Sequence, residues 1–153
     1  MNRMKELKSL VYHKILAELD RKIEVINKAI VLAKDSRNND TKSSAGDKFE
    51  TGREMMQIEI EKNEYLLSQT FKLRKELTRI DLKRQFGKVA FGSLVVTNMG
   101  NYFVSMGIGK VQIEDQICYA ISLVSPIGQI LKDKHIGDEV LFNGKTIVIK
   151  EMV

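Results

Sequence analysis

Apolar residues recur at spacings of three and four along the first part of the chain. Such spacing places them on one face of an α-helix, and no Gly or Pro interrupts the run. The pattern therefore predicts a helix over residues 4–35, with charged residues on its other faces. At 1.5 Å per residue this helix is ~48 Å long, so it needs a packing partner along its length. The predicted apolar face carries Val11, Ile15, Leu19, Ile23, Ile26, Ile30 and Ala33.

A second helical pattern begins near Asp47 and is free of Gly and Pro from Met56 to Arg84. Asn63 and Thr70 interrupt its apolar stripe, so the stripe departs from an ideal coiled-coil seam. The clearest members of the stripe are Leu66, Leu73, Leu77 and Ile80, and Met56, Ile60 and Leu67 continue it less regularly.

A polar stretch, Ser36–Glu50, separates the two helical patterns and is rich in Asn, Ser, Asp and Gly. These residues favour turns and helix caps. Two helices of similar length joined by a short polar loop pack antiparallel. We therefore predict an N-terminal antiparallel helical hairpin, a coiled coil, over residues 1–84, with the polar stretch at its tip.

The pattern changes at Gln85–Gly87 to short runs rich in Val, Ile, Phe and Tyr, separated by Gly and Asn. Ser125-Pro126 resembles a helix start, and Asn143-Gly144 indicates a hairpin turn. Together these signals predict an α+β chain, whose second domain, residues 88–153, is a small antiparallel sheet with one short helix. The predicted strands are Lys88–Met99, Asn101–Val111 (bent at Gly107 and Gly109), Gln116–Val124, Glu139–Phe142 and Thr146–Glu151, and the helix is Pro126–Asp133.

Charge is distributed unevenly along the chain, whose net charge is +5. Residues 1–88 carry 20 basic against 14 acidic side chains, and residues 89–153 carry 5 against 6. A cationic helical half favours a polyanionic partner such as nucleic acid, although a solvated helix surface gives the same pattern. No run of ~20 apolar residues predicts a membrane span, and the lone Cys118 is expected to be a packed thiol in a cytoplasmic protein. His13 and His135 lie far apart in sequence, so we expect no metal site of its own.

The second half resembles a known family in an ordered series of motifs. The series comprises Val-Ala-Phe-Gly at Val89–Gly92, Ile-Ser-Leu-Val-Ser-Pro-Ile at Ile121–Ile127 and Gly-Asp-Glu-Val at Gly137–Val140, with GKTIVIKEM following at Gly144–Met152. In order and spacing these fragments resemble the C-terminal domain of the Gre-type transcript cleavage factors, which is FKBP-like. The same factors carry an N-terminal antiparallel helical hairpin, so the resemblance extends over nearly the whole chain.

The resemblance implies an accessory factor rather than an enzyme. In the family the C-terminal domain docks on bacterial RNA polymerase at its secondary channel, and the hairpin enters that channel. Acidic residues at the tip then help to hold the Mg²⁺ of the polymerase site, where the 3′ end of backtracked nascent RNA is cleaved. The resemblance therefore implies RNA polymerase and nascent RNA as partners, Mg²⁺ shared with the polymerase, no membrane, and a monomeric protein.

The family tip carries Gly-Asp-x-x-Glu, which matches Gly46-Asp47-Lys48-Phe49-Glu50. By resemblance the carboxylates that act in the polymerase site are Asp47 and Glu50, with Asp40 as a third tip acid. Asp47 and Glu50 also fit a capping box, a structural role that can coexist with the functional one. The candidate cations for RNA phosphates are Arg37, Lys42, Lys48 and Arg53, and the candidate docking residues are Ser125, Pro126 and Ile127.

Two alternatives remain open at this stage. The family usually continues its tip motif with Asn-Ala-Glu-Tyr, whereas this chain has Thr51-Gly52-Arg53-Glu54. That departure favours a Gre-fold regulator that binds polymerase without stimulating cleavage, as an inhibitor or a Rnk-like homologue. A helical-hairpin interaction module with no tie to transcription is the other alternative, which the ordered matches of the second half disfavour.

Overall fold

The computed structural model describes residues 2–39 and 47–153, with the side chains of 3–39 and 50–153. The chain divides into two compact units. One unit is Ala17–Lys75, and the other combines Met1–Leu16 with Glu76–Val153. None of the helices within the described ranges has an apolar stretch long enough to cross a membrane.

Two long helices, α1 (Asn2–Asn39) and α2 (Asp47–Thr78), supply all the regular structure described in the unit Ala17–Lys75. Their side chains pair in antiparallel order, as predicted. Arg74 Nε lies 2.5 Å from Asp20 Oδ1, and Arg37 Nη1 donates to Gln57 Oε1 at 2.6 Å. Arg37 follows Asp20 on α1, whereas its partner Gln57 precedes Arg74 on α2. The two pairs therefore fix the antiparallel register of the hairpin.

The buried face of α2 differs from the predicted stripe. Asn63 and Thr70, expected to interrupt the seam, are 8% and 3% exposed, whereas Leu66 is 38% exposed. Met56, Ile60 and Asn63 follow one another at spacings of four and three, and Thr70 and Leu77 continue the series at spacings of seven, which is a heptad seam that contains polar residues. The Thr70 hydroxyl donates to the Leu66 carbonyl at 2.8 Å, so its burial leaves no hydrogen-bonding group unsatisfied.

Six strands form one sheet in the other unit, in the order β3-β4-β2-β1-β6-β5. Its core consists of Val89, Val95, Val104, Ile121, Leu131, Val140, Ile147, Ile149 and Met152. The first four turns of α1 belong to this unit and bury Leu7, Val11 and Ile15. The strands are β1 (Leu94–Thr97), β2 (Gly100–Val104), β3 (Gly109–Ile113), β4 (Gln116–Ile121), β5 (Glu139–Phe142) and β6 (Lys145–Met152).

The prediction of an antiparallel sheet is wrong in one pairing, because β2 and β4 run parallel. The predicted strand Asn101–Val111 is in fact two strands, broken at residues 105–108, where the Ser105 N–H donates to the Ile121 carbonyl. After this break β3 pairs with the outer edge of β4 rather than with β2. The sheet is therefore mixed, and β4 lies between β2 and β3.

The short helix α3 (Pro126–Leu131) begins as the sequence predicts. The Ser125 hydroxyl accepts the Gly128 N–H at 3.1 Å, and Pro126 occupies the first turn. The helix ends before the predicted Asp133, which adopts a left-handed φ of 64° that a helix cannot continue through. The first strand is also shorter than predicted, because residues 90–93 form a turn in which Gly92 has a φ of 97°.

Candidate functional site

The candidate site is the beginning of α2, where the sequence places three carboxylates. The helix starts at Asp47, so Glu50 and Glu54 follow it at three and seven residues and share one face. Both glutamates are exposed. Acids in the first turn also favour the helix dipole, so the capping role and a role toward a partner are compatible. Glu54 was not predicted as a site residue, although its spacing of four from Glu50 indicates that both carboxylates lie on the same face of a helix.

The register of the hairpin gives this acidic face its position in the unit. Asp20 pairs with Arg74, and Arg37 pairs with Gln57. In each pair the residue number on α1 and the residue number on α2 add up to the same value, so this value gives the register of the other opposing positions. On that register the last residue of α1, Asn39, corresponds to Met55, so residues 47–54 precede the part of α2 that pairs with α1. Burial agrees with this assignment, since Ile60 is the first residue of α2 with a described side chain that is fully buried. The acidic face therefore lies in the first turns of α2, before the part of α2 that pairs with α1.

Several predicted site residues are only partly described. Asp40 and Lys42 lie outside the described residues, and for Asp47 and Lys48 only the backbone of α2 is described. For these residues the roles inferred from the resemblance remain predictions. The described part of the predicted set is Glu50, Arg37, Arg53 and the residues Ser125–Ile127.

The two described cations of the set differ in their surroundings. Arg37 is half-buried, and its guanidinium donates to Gln57 at 2.6 Å and to Asn38 at 3.4 Å. This side chain follows Ala33 on the buried face of α1, and its bonds tie the two helices together. Arg53 is exposed beside Glu54. Arg53 is therefore the better placed of the two to meet a phosphate.

The predicted docking residues lie at the start of α3, where Ser125 is the N-cap and Pro126 and Ile127 are the first two helical residues. The Ser125 hydroxyl donates to the Ser122 carbonyl at 2.6 Å while it caps the helix, and Val124 is 80% exposed. Pro126 is exposed, and Ile127 packs partly against the core. Gly128 allows the turn to close, since a Cβ there would lie 2.0 Å from the Ser122 carbonyl oxygen. The turn thus presents Val124 and Pro126 on a fixed backbone.

Cys118 and the histidines offer little chemistry of their own. Cys118 is fully buried, and burial raises the pKa of its thiol to about 12, so the thiolate is suppressed at neutral pH. The Nδ1 atom of His135 lies 3.6 Å from the Asp138 carboxylate. In the ranges 2–39 and 47–153, no group of three His, Cys, Asp or Glu side chains could hold a metal ion.

Comparisons of the chain with protein families, curated proteins and solved structures give no match. The resemblance of the sequence motifs to the Gre-type factors therefore remains a hypothesis, to be judged by experiment.

Proposed function

We propose that the protein is a Gre-type accessory factor of RNA polymerase, which enters the secondary channel and stimulates cleavage of backtracked nascent RNA. The observation that carries this proposal is the acidic face at the start of α2, where Glu50 and Glu54 are exposed one turn apart. The antiparallel pairing of α1 and α2 and the ordered motifs of the second half support the same function. In this proposal the sheet is FKBP-like, and the protein acts as a cytoplasmic monomer.

The chemistry requires carboxylates at the end of a firm support. Mg²⁺ prefers carboxylate oxygens and keeps several waters, so an ion held weakly by one protein can accept ligands from another. Such ions bring the attacking water and the leaving oxygen together in phosphoryl transfer. In our proposal Asp47 and Glu50 add ligands to the ion of the polymerase, and Glu54 extends the same negative face. Asp40 would contribute a further carboxylate from the tip.

Cations near the acidic face would hold the RNA. Phosphates are bound chiefly by Lys and Arg, without sequence preference. We assign this role to Arg53, Lys42 and Lys48, and a smaller one to Arg37, because Arg37 already bonds to Gln57. Ser125, Pro126 and Ile127 would contact the polymerase at the start of α3.

The second candidate is a regulator that binds the same channel without stimulating cleavage. The observation that favours it is the sequence Thr51-Gly52-Arg53-Glu54, which departs from the family pattern. Arg53 in particular places a positive charge within one turn of Glu50, and that charge weakens the negative potential offered to a cation.

A transcription assay separates these functions. Stalled elongation complexes with end-labelled, backtracked RNA are incubated with the protein, and RNA shortening and polymerase binding are measured in parallel. We expect shortening to be stimulated, and the variant D47N/E50Q to lose at least tenfold of the stimulation while it still binds polymerase. The matched control is Glu64→Gln, which removes an exposed carboxylate farther along α2 and should retain stimulation.

The outcomes assign one function each. Binding by the wild-type protein without any shortening would support the regulator. Failure to bind polymerase would overturn both readings and leave a hairpin interaction module. Equal loss of stimulation in Glu64→Gln and D47N/E50Q would show that general negative charge, rather than the tip, is responsible.

A further inference from the structure

Lys8 occupies a position where its helix otherwise buries apolar residues. It precedes Val11 by three residues on α1 and is only 2% exposed. Its ammonium lies 4.6 Å from the centre of the Phe86 ring. A cation over an aromatic face gains about 0.5–2 kcal/mol, less than the cost of removing an unpaired ammonium from water. The ring alone therefore does not balance this charge.

The charged groups around Lys8 leave it without a close anionic partner. In the described part of the chain, no carboxylate lies within 4.0 Å of its ammonium. Asp81 attracts it from farther away, but Asp81 is exposed and its carboxylate accepts the Lys83 N–H at 2.9 Å. Lys5 and Arg84 add positive charge nearby. Burial, opposed by Asp81 and reinforced by Arg84 and Lys5, lowers the pKa of Lys8 to about 8.

A pocket of about 320 Å³ opens at the same place. Three cations line it, Lys5, Lys8 and Arg84, together with the apolar groups of Leu82, Phe86 and Met152. Arg84 lies 4.6 Å from the centre of the same Phe86 ring. One wall is fixed, since the backbone of Val153 exchanges hydrogen bonds of 2.7 and 3.0 Å with Leu94. The pocket is therefore a preformed concave site with positive charge and an apolar floor.

We propose that this pocket binds a small oxyanion, a phosphate or carboxylate group, between Lys8, Arg84 and Lys5. The anion would give the Lys8 ammonium a close anionic partner, and charge-assisted hydrogen bonds to a lysine and a guanidinium are among the strong ones. Leu82 and Met152 would contact an apolar substituent of the ligand. The site is separate from the acidic face of α2 and does not depend on the function proposed above.

Binding is coupled to protonation of Lys8. An anion favours the charged amine, so it raises the pKa of Lys8 toward the ordinary value and takes up a proton where the free pocket is partly neutral. Affinity should therefore be highest below pH 8 and should fall as the pH rises through 8 to 10. The other charged groups that act on Lys8 are Asp81, Arg84 and Lys5.

Titration calorimetry at constant ionic strength tests the proposal, with inorganic phosphate and butyrate as separate probes. We expect saturable binding of one or both at pH 7, at least tenfold weaker binding at pH 10, and loss of binding in Lys8→Met. The control Lys22→Met removes an exposed lysine from the same helix and should bind like wild type. Arg84→Gln changes an exposed residue, so its expected tenfold loss does not depend on how the core tolerates Met.

Each outcome supports or overturns the proposal. Phosphate binding alone identifies a phosphorylated ligand, and butyrate binding alone identifies a carboxylate with an apolar tail. A response that does not saturate, or equal binding in wild type, Lys8→Met and Arg84→Gln, overturns the proposal and leaves Lys8 as a lysine stabilised by Phe86.

Discussion

At the scale of single residues, the buried charge of Lys8 lowers the stability of the folded protein. The positions that follow it on the same helical face, Val11 and Ile15, are fully buried and apolar. Lys8 shares their burial but must bring an ammonium with it. Its methylenes pack like an aliphatic side chain. Its ammonium is stabilised by the Phe86 ring and by the more distant Asp81 carboxylate. The free protein is therefore less stable at this residue than an apolar helix face would make it.

The lowered pKa of Lys8 predicts that the free energy of unfolding depends on pH. In the unfolded chain the Lys8 amine has its ordinary pKa of 10.5, and in the folded protein burial lowers it to about 8. Below pH 8 both states are protonated, and the folded state bears the cost of the buried charge. Between pH 8 and 10.5 the unfolded chain holds the proton that the folded protein has lost, so stability rises with pH.

We expect Lys8→Met to increase the free energy of unfolding at pH 7 by about 1 to 2 kcal/mol, allowing for screening by the solvent of the pocket. The increase should shrink toward pH 10, because wild type gains stability over that range and the variant does not. Urea unfolding at pH 7 and pH 10 measures both effects, with Lys22→Met as the control for lost surface charge. A lower stability of Lys8→Met at pH 7 would contradict the argument.

At the scale of elements, the helical hairpin was predictable and the details of its seam were not. Hydrophobic spacing located both helices, because a run without Gly or Pro and with one apolar face has few alternatives. It misplaced the stripe on α2, because Leu66 is apolar by type but is exposed, and Thr70 is polar by type but is buried. Thr70 can occupy the seam because its hydroxyl bonds to its own helix. A rule that scores residues only as apolar or polar does not include this possibility.

The sheet was predicted in composition but not in pairing. The Asn143-Gly144 turn was correct, and both residues adopt the left-handed φ that such a hairpin needs. The parallel pairing of β2 with β4 was missed, since it joins strands that are not neighbours in the chain. The acidic residues were predicted partly through resemblance, and Glu54 was overlooked because it lies where this chain departs from the family pattern. Lys8 was overlooked because a lysine is expected on the solvated face.

Substitution of Asn63 tests whether the polar seam of α2 is packed against α1. It is 8% exposed in the seam of α2, and the hydrogen bond of its side chain to Glu59 is long, at 3.5 Å. Asn63→Leu should raise the free energy of unfolding by about 1 kcal/mol more than Asn27→Leu, an exposed position on α1. Both substitutions gain the same helix propensity, so the difference reports burial in the seam. Equal effects in thermal unfolding would place Asn63 outside the packed interface.

At the scale of the whole molecule, the start of α1 belongs with the sheet rather than with the rest of its own helix. The unit that contains the sheet includes Met1–Leu16, and Lys14 donates from this segment to the Gln112 carbonyl at the end of β3. Leu77 is fully buried, and a Cβ placed on Gly92 would lie 3.3 Å from the side chain of Ile80. The predicted division into residues 1–84 and 88–153 follows the change in sequence pattern, whereas these contacts join residues on both sides of it.

Excision of the hairpin distinguishes the two divisions of the chain. Asp20 pairs with Arg74, so the ends left by removing Ala17–Lys75 are near neighbours that a Gly-Ser linker of about six residues can join. We expect this shortened chain to fold cooperatively, because it keeps the apolar surface of Val11, Ile15 and Leu77 buried. The matched fragment, residues 88–153, lacks these buried residues and should be less stable by at least about 3 kcal/mol, measured by urea unfolding. Equal stability of the two proteins would show that the sheet folds without the helix ends, and would support the division predicted from the sequence.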